Sequence, residues 1–227
     1  MSDVLPPGWV RADLHCHTVY SQDSLTPLEA VIRACRRKGI DRIAITGHNT
    51  IEGALRLRQM APELVIVGEE IKTTHGEIQA FFIEQRIPPG LTPEETIARI
   101  RELGGVVGVS HPLDPTRSEA MGEANLRRVA HLLDCIEVFN ARTTFARHNR
   151  QAAEFARQRG LPGTAGSDAH TAFEIGRAYV EMPDFVDAAS FLEGLRQGRV
   201  VGRPSLPLVH LFSRWATFRK KHLQDKT

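Results

Sequence analysis

Arg11-Ala12-Asp13-Leu14-His15-Cys16-His17-Thr18 is a β-rich run that ends on two histidines one residue apart. In an extended strand alternate side chains leave on the same side, so His15 and His17 can reach one ion while Cys16 points the other way, into packing. Outward from this stretch, short β-rich runs alternate with helix-period segments through most of the chain, as expected of βα units around a parallel sheet. The strand candidates are Arg11 to His15, Arg42 to Thr46, Leu64 to Gly68, Ile78 to Ile83, Val106 to Ser110, Cys135 to Phe139 and Thr164 to Ser167. Thr26-Pro27-Leu28-Glu29 and Thr92-Pro93-Glu94-Glu95 each place a capping threonine before a proline at the first helical position and a glutamate at the third. Further helices are expected over Ile51 to Met60, Glu119 to Leu133, Thr143 to Arg159 and Asp184 to Arg196.

With 41% hydrophobic and 25% charged residues, the 227-residue chain has the balance of an ordinary globular domain, which excludes a disordered, collagen-like or coiled-coil protein. Its length suits one α/β barrel or doubly wound sheet better than two domains. Lys+Arg 29 against Asp+Glu 27 leaves a net charge of +2, too small to argue for nucleic acid by itself. The surplus gathers at the end, where Arg214, Arg219, Lys220, Lys221 and Lys226 are offset only by Asp225. No apolar run approaches the ~18 residues of a membrane span, and Met1 to Pro7 lacks the basic flank and apolar stretch of a leader, so a cytoplasmic protein with no membrane partner is expected. Cys16, Cys35 and Cys135 lie far apart and form no Cys-x-x-Cys pair, which points to free, reduced thiols.

Five of the ten histidines (His15, His17, His48, His111 and His170) fall at or just beyond the C-terminal end of a predicted strand. In barrels of parallel strands that end carries the site, because the loops leaving the strands converge there. Acidic residues join them. Asp13 and Asp23 flank the first pair, Glu69 follows the third strand, and Asp168 stands in Gly166-Ser167-Asp168-Ala169-His170. His-x-His alone is a weak signal; a second alternating pair, Asp168-x-His170, at another strand end makes coincidence a poor account. Mixed nitrogen and carboxylate donors suit Zn, Mn or Fe better than Mg or Ca, and a set of eight or nine donors exceeds one ion.

Taken in order, Asp13-Leu14-His15-Cys16-His17-Thr18, Ser21-Gln22-Asp23-Ser24, Ile45-Thr46-Gly47-His48-Asn49, Gly68-Glu69-Glu70, Ser110-His111-Pro112, Ile136-Glu137-Val138-Phe139-Asn140 and Gly166-Ser167-Asp168-Ala169-His170 resemble the motifs of the PHP (polymerase and histidinol phosphatase) family, over residues 11 to 180. The resemblance implies a distorted (βα)7 TIM-like barrel in a single domain and a site of two or three divalent ions, Mn, Zn or Fe, that hydrolyses phosphoesters. By motif, His15 and His17 would share one ion with Glu69 and Asp168. Glu69 would bridge to a second ion held also by His111, and Asp23, His48 and His170 would complete a third. Between Glu69 and His111 the family supplies another ligand, for which Glu77 aligns best, with His75 as its competitor. Gly47 departs from the family pattern, which commonly has an aspartate there; if that carboxylate orients the following histidine, its loss would lower metal affinity at the third position about 10- to 100-fold.

These residues point to a metal-dependent phosphoesterase in which a metal-activated hydroxide attacks phosphorus, with Asp168, His170 and His111 as the candidates for proton transfer. No Gly-x-Ser-x-Gly elbow, glycine-rich phosphate loop or catalytic-cysteine signature offers a protein nucleophile. Asn140, Arg142 and Arg177 are the candidate substrate contacts, with Arg147 a further arginine close to a strand end. His131, His148, His210 and His222 read as surface or packing residues. The expected substrate is a small phosphorylated metabolite or a nucleotide, with short RNA as an extension. The rival readings are a non-catalytic metal- or RNA-binding scaffold and an amidohydrolase-like metal hydrolase. Residues 1–205 are read as the barrel and 206–227 as a basic amphipathic tail, a helix that lays Val209, Leu211, Phe212, Trp215 and Phe218 on the barrel with its basic face outward. A contact between subunits or a patch that guides RNA would use the same residues.

Overall fold

The computed structural model describes residues 5–206 and 208–224. Nine strands lie among the described residues: β1 (Trp9–Cys16), β2 (Arg42–Ile45), β3 (Val65–Thr73), β4 (Gly76–Phe81), β5 (Val106–Gly108), β6 (Ile136–Asn140), β7 (Gly163–Gly166), β8 (Ala178–Pro183) and β9 (Arg199–Gly202). Seven helices accompany them: α1 (Leu28–Lys38), α2 (Glu52–Met60), α3 (Pro93–Glu102), α4 (Gly122–Val129), α5 (Ala146–Arg159), α6 (Ala188–Gln197) and α7 (Val209–Gln224). A seven-stranded sheet runs β5-β4-β3-β2-β1-β8-β9, and β6 and β7 form a separate parallel pair.

The sheet curls so that β5 at one end and the C-terminal part of β1 approach this pair. Cys135 and Glu137 donate their amides to the Val107 and Val109 carbonyls at 3.2 and 3.0 Å, which joins β6 to β5. On the other side Asp168 donates to the His15 carbonyl at 2.8 Å and His17 to the Ala169 carbonyl at 2.9 Å, joining the end of β7 to β1. The fold is thus the expected α/β barrel, distorted because both seams are a few hydrogen bonds wide. Parallel pairing holds for β1–β2, β2–β3 and β6–β7, whereas β3–β4, β4–β5, β1–β8 and β8–β9 are antiparallel.

Two differences from the all-parallel expectation have local causes. The third strand does not stop at Gly68 but continues to Thr73, then turns through Thr74 and His75 into β4. Gly76, at φ +99°, supplies the left-handed backbone of that turn, and the Thr73 hydroxyl donates to its carbonyl at 2.6 Å. A hairpin this short can join only antiparallel strands. Beyond β7, the segments around Tyr179 and Val200 add β8 and β9 to the outer edge of β1.

Helix faces follow the sequence pattern. α1 buries Leu28, Val31, Ala34 and Cys35 on one side, carries Arg36, Arg37 and Lys38 in its last turn, and ends at Gly39 with φ +64°. The expected capping box is present at α3, where Thr92 accepts from the Glu95 amide and the Glu95 carboxylate accepts from the Thr92 amide. At α1 it is absent. The Thr26 hydroxyl donates instead to the His170 carbonyl at 2.8 Å, beside the Ser24 hydroxyl at 2.9 Å, and so ties the loop before α1 to the loop after β7.

Apolar side chains form two layers. Val31, Leu57, Ile97 and Phe155 of the outer helices pack against Ile43, Ile45, Val65 and Val67. Leu14, Ala44, Ile66 and Phe81 on the other face of the strands pack with Phe191 and Leu195 of α6. The three cysteines are buried and unpaired, and Cys16 sits in the outer layer as expected of a packing residue.

Val209–Gln224 form α7, and this helix is turned round from the expected packing. Val209 and Ala216 are buried, while Leu211, Phe212, Trp215 and Phe218 face outward. Ser213, Thr217 and Lys220 lie on the inner side, next to the strand-end loops. Lys226 and Asp225 fall outside the described residues.

Candidate metal centre

A shift in register between Asp13 and Cys16 breaks the regular alternation of β1. Leu14 belongs to the inner layer, yet His15 also turns inward, and Cys16 then takes the outer side. The bulge therefore presents His15 and His17 together at the mouth of the barrel. Asp13 fixes it from behind, accepting amides from Ser167 and Gly176 at 2.8 Å each and from His15 at 3.5 Å. Burial raises the Asp13 pKa to about 6 against the opposing effect of these bonds. Asp168 and His111 sit at positive φ, +52° and +29°, the strained backbone that aims their side chains inward from the strand ends.

Two histidine nitrogens face two carboxylate oxygens here. His15 Nε2 lies 3.1 Å from His17 Nε2, 3.2 Å from Glu70 Oε2 and 3.6 Å from Asp168 Oδ1. His17 Nε2 lies 3.4 Å from Glu70 Oε2 and 3.2 Å from Asp168 Oδ1. Ligand atoms around a tetrahedral ion with bonds of about 2.0–2.1 Å stand about 3.3–3.4 Å apart, a spacing that His15, His17 and Asp168 approach, with Glu70 beside both histidines.

Two further groups adjoin this cage. Glu70 Oε1 stands 3.0 Å from His111 Nε2, and Glu77 Oε1 3.1 Å from His48 Nδ1, which is also 3.3 Å from Glu70 Oε2. On the open side Asp23 Oδ2 reaches His170 Nε2 at 2.6 Å and His48 Nε2 at 3.2 Å, and the His17 and His170 rings stack with centroids 4.2 Å apart. The donors fall into four overlapping groups that could hold an ion: His17, Asp23, His48 and His170; His15, Glu70 and His111; His15, His17 and Asp168; and His48, Glu70 and Glu77.

The electrostatics are those of carboxylates held among cations. Burial works against charge on His15, but Glu70, Asp168 and Glu137 outweigh it and lift its pKa well above the usual histidine range. His48 is raised in the same way, against burial, by Glu70, Asp23 and Glu77. Burial and the nearby His170 and His48 lower His17 to about 3. Although burial opposes it, Asp168 is held well below the carboxylate range by Arg117 and His15, and Glu70 likewise by His15 and His48. Asp168 Oδ1, Glu77 Oε2 and His111 Nδ1 are buried without a hydrogen-bond partner. A buried carboxylate oxygen with no donor is costly, and a divalent ion would satisfy the two on Asp168 and Glu77. The nitrogen and oxygen donor set fits such an ion.

Behind the cage, Glu137 Oε1 holds His15 Nδ1 at 3.1 Å, while its other oxygen accepts the His111 amide at 2.7 Å and Asn140 Nδ2 at 3.0 Å. This is the carboxylate–histidine arrangement that fixes ring orientation at metal sites. Gly47 leaves His48 without a neighbouring carboxylate in sequence, yet Asp23, Glu70 and Glu77 hold the ring. A side chain at Gly47 would meet Thr50, its Cβ lying 3.1 Å from Thr50 Cγ2.

Eight of the nine expected ligands, His15, His17, Asp23, His48, Glu77, His111, Asp168 and His170, come together. Glu69 does not. Because β3 runs on past Gly68, consecutive residues face opposite sides, and Glu69 turns to the outer layer, where Oε2 accepts the Ile87 amide at 2.9 Å. Glu70 takes its place among the histidines. Between the competitors, Glu77 joins the cluster and His75 stays in the exposed hairpin turn beside Thr74. Asn140 bonds Asp168 Oδ2 at 3.2 Å, and buried Arg142 meets His170 Nδ1. Arg177 is elsewhere. It donates to the Pro204 carbonyl and lines a separate hollow with Lys38 and Tyr179. Arg147 lies on the α5 side of a wider cleft, over the Phe145 ring.

Sequence reading missed Arg117, Glu137 and His210. Arg117 donates Nη2 to Asp168 Oδ2 at 2.6 Å. Its irregular loop carries no periodic signal. Glu137 lies on a strand with a register shift between Glu137 and Phe139, which hides its direction. His210 is brought to the mouth by the inverted helix. The mouth itself is a cavity of about 220 Å³ bordered by Asp23, His48, Glu77, Arg117, His170 and His210. An open cleft of about 960 Å³ between α4 and α5 lies next to it and shares Arg117.

The sequence model of the PHP domain matches residues 13–133, and that of the PHP-associated segment matches residues 146–200. An uncharacterised protein of Methanocaldococcus jannaschii is 40% identical over 146 residues, 58% of this chain and 82% of that one. A probable phosphatase of Enterobacter sp. is 30% identical over 218 residues, covering 80% of this chain and 86% of its own. Among solved structures, a two-domain protein from Bacteroides vulgatus containing a predicted PHP-like metal-dependent phosphoesterase superimposes with a TM-score of 0.66 at 18% identity, over 88% of this chain and 68% of that one, a likeness of fold. Motif order, fold and sequence match agree: the chain belongs to the PHP domain family.

Proposed function

We propose that the protein is a metal-dependent phosphoesterase that hydrolyses a phosphomonoester or a nucleotide or oligonucleotide phosphate. The observation that carries this reading is the set of overlapping donor groups, His15, His17 and Asp168; His15, Glu70 and His111; and His48, Glu70 and Glu77, with His17, Asp23, His48 and His170 grouped on the open side. Those residues would hold two or three divalent ions, Mn, Zn or Fe. When bound, such ions supply Lewis acidity, offsetting charge on phosphoryl oxygens and lowering the pKa of a water to about 7.

The chain's own groups account for the rest. Hydrolysis forms a bond from water oxygen to phosphorus and breaks the ester P–O bond, so one proton must leave the water and one must reach the departing oxygen. Asp168, kept ionised by Arg117 and His15, suits holding an ion and has no proton to donate. His170 borders the cavity and His111 lies deeper. Arg117 and Arg142 flank the cavity with fixed positive charge suited to phosphoryl oxygens, and Asn140 steadies Asp168. The probable phosphatase among the relatives supports hydrolysis of a phosphate ester.

The test is release of product from phosphomonoesters, nucleotides, diesters, short RNA and small amides, with and without added Mn, by the native chain and Asp168→Asn. Turnover that needs metal and is lost in the variant is expected. Metal-loaded protein that cleaves nothing yet binds RNA would establish a scaffold instead, and cleavage of amides alone would establish an amidohydrolase.

A further inference from the structure

α7 lies beyond both segments matched by the family models, yet it walls the candidate site. Its amphipathicity is reversed. Leu211, Phe212, Trp215 and Phe218 are between 49% and 58% exposed, while His210, Ser213 and Thr217 line the cavity opposite Asp23, His48 and His170. Hydrophobic burial alone would rotate such a helix by half a turn.

Polar anchors at both ends oppose that rotation. Arg142, itself 3% exposed, donates Nη2 to the Val209 carbonyl at 2.9 Å and to Ser213 Oγ at 3.0 Å, while its Nη1 meets His170. Near the far end, Lys220 Nζ donates to the carbonyls of Val19 and Ser21, and Ser21 Oγ in turn donates to Asp23 at 2.8 Å. Both anchors therefore run from the helix to residues of the candidate metal centre.

The space beside α7 is small and partly open. Its volume of about 220 Å³ is below the roughly 300–1,000 Å³ of sites that enclose drug-sized ligands. The larger cleft does not extend it, since Arg117, bonded to Asp168, stands between them and no residue lining that cleft belongs to the metal-ligand groups. An internal diester carries a substituent on each side of phosphorus, and a mouth this narrow, walled on one side by α7, disfavours the second.

We propose that α7 is the specificity wall of the site: His210, Ser213 and Thr217 contact the group esterified to the phosphate and restrict the enzyme to phosphoryl groups on small polar molecules, excluding phosphodiesters inside a polymer. This rests on the phosphoesterase reading and narrows it.

The experiment compares full-length, Mn-loaded wild type with Thr217→Trp, which fills the mouth, and Lys220→Met, which releases the latch. Turnover and calorimetric binding are measured for phosphoserine and for an unphosphorylated octanucleotide, with bound Mn quantified to confirm an intact centre. Wild type is expected to prefer phosphoserine by about 100-fold or more in kcat/KM, Thr217→Trp to lose about 10-fold on phosphoserine, mainly in KM, and Lys220→Met to narrow the preference by about 10-fold. Turnover with a preference that neither variant shifts overturns the wall alone. Absent turnover with phosphoserine binding that Thr217→Trp weakens keeps the wall and overturns the hydrolase. Neither turnover nor binding overturns both.

Discussion

Glu69 and Glu70 are consecutive on β3 and serve opposite sides of it. The Glu69 carboxylate accepts the Ile87 amide at 2.9 Å under the outer helices, whereas Glu70 places one oxygen 3.2 Å from His15 and the other 3.0 Å from His111. Glu70→Gln should therefore weaken metal binding by more than the roughly 10- to 100-fold typical of losing an outer partner, and Glu69→Gln should leave stoichiometry unchanged. Metal analysis and Zn or Mn titration of both variants decide the matter; the reverse ranking would mean that β3 is one residue out of register.

Glu69 also makes stability depend on pH. Burial raises its pKa from 4.5 to about 7, against the Ile87 amide and Arg86. Between these values the native carboxyl keeps a proton that the unfolded chain has lost, so its contribution is complete below pH 4.5 and disappears as pH rises through 7. Glu69→Gln carries no such loss. Measured by urea unfolding of chelator-treated protein, the variant should match wild type near pH 4.5 and exceed it at pH 8 by about 1–2 kcal/mol. Parallel pH profiles would count against the raised pKa.

Gly166 packs its backbone directly beneath the first histidine. A Cβ there would lie 2.2 Å from His15 Cβ and 2.8 Å from its backbone nitrogen, so β7 and β1 would have to separate. Gly166→Ala is expected to cost about 1–3 kcal/mol or more and to weaken metal binding as well, since Asp168 follows two residues later. Thermal unfolding with and without Zn reads both effects, and an unchanged melting temperature would contradict the packing.

The cysteines should be inert. Cys16, Cys35 and Cys135 are fully buried, and burial pushes the Cys35 thiol up to about 12 and the other two upward as well. Iodoacetamide at pH 8 should leave the folded protein unlabelled and modify all three thiols after denaturation, as counted by intact mass. Labelling of the native chain would show that one of them opens to solvent.

What the sequence reveals about this molecule depends on whether local pattern or tertiary closure decides each feature. Residues such as His15, His48, His111 and Asp168 stand at or just past the ends of apolar strands, and the parallel-strand rule alone places them at one end. Glu69 and Glu70 are distinguished only by where the strand stops, and the Thr73–Gly76 hairpin that extends it has a weak signature. α7 fails for a different reason. Its apolar stripe is plain in the sequence, but Arg142 and Lys220 set which face turns inward, and both bonds span long stretches of chain. Glu137 and Arg117 support the cage from a bulged strand and an irregular loop, where periodicity carries no directional information.

The seam between β7 and β1 has a kinetic meaning. His15 and His17 stand on one side of it, Asp168 on the other, and backbone bonds from Asp168 to His15 and from His17 to Ala169 are what hold it there. An ion in the cage would fasten this seam as a rivet joins two plates. It can be captured only late in folding, once distant parts of the chain have met. It can escape whenever the seam alone breathes, so metal exchange should run at the pace of this local opening, faster than the whole domain unfolds.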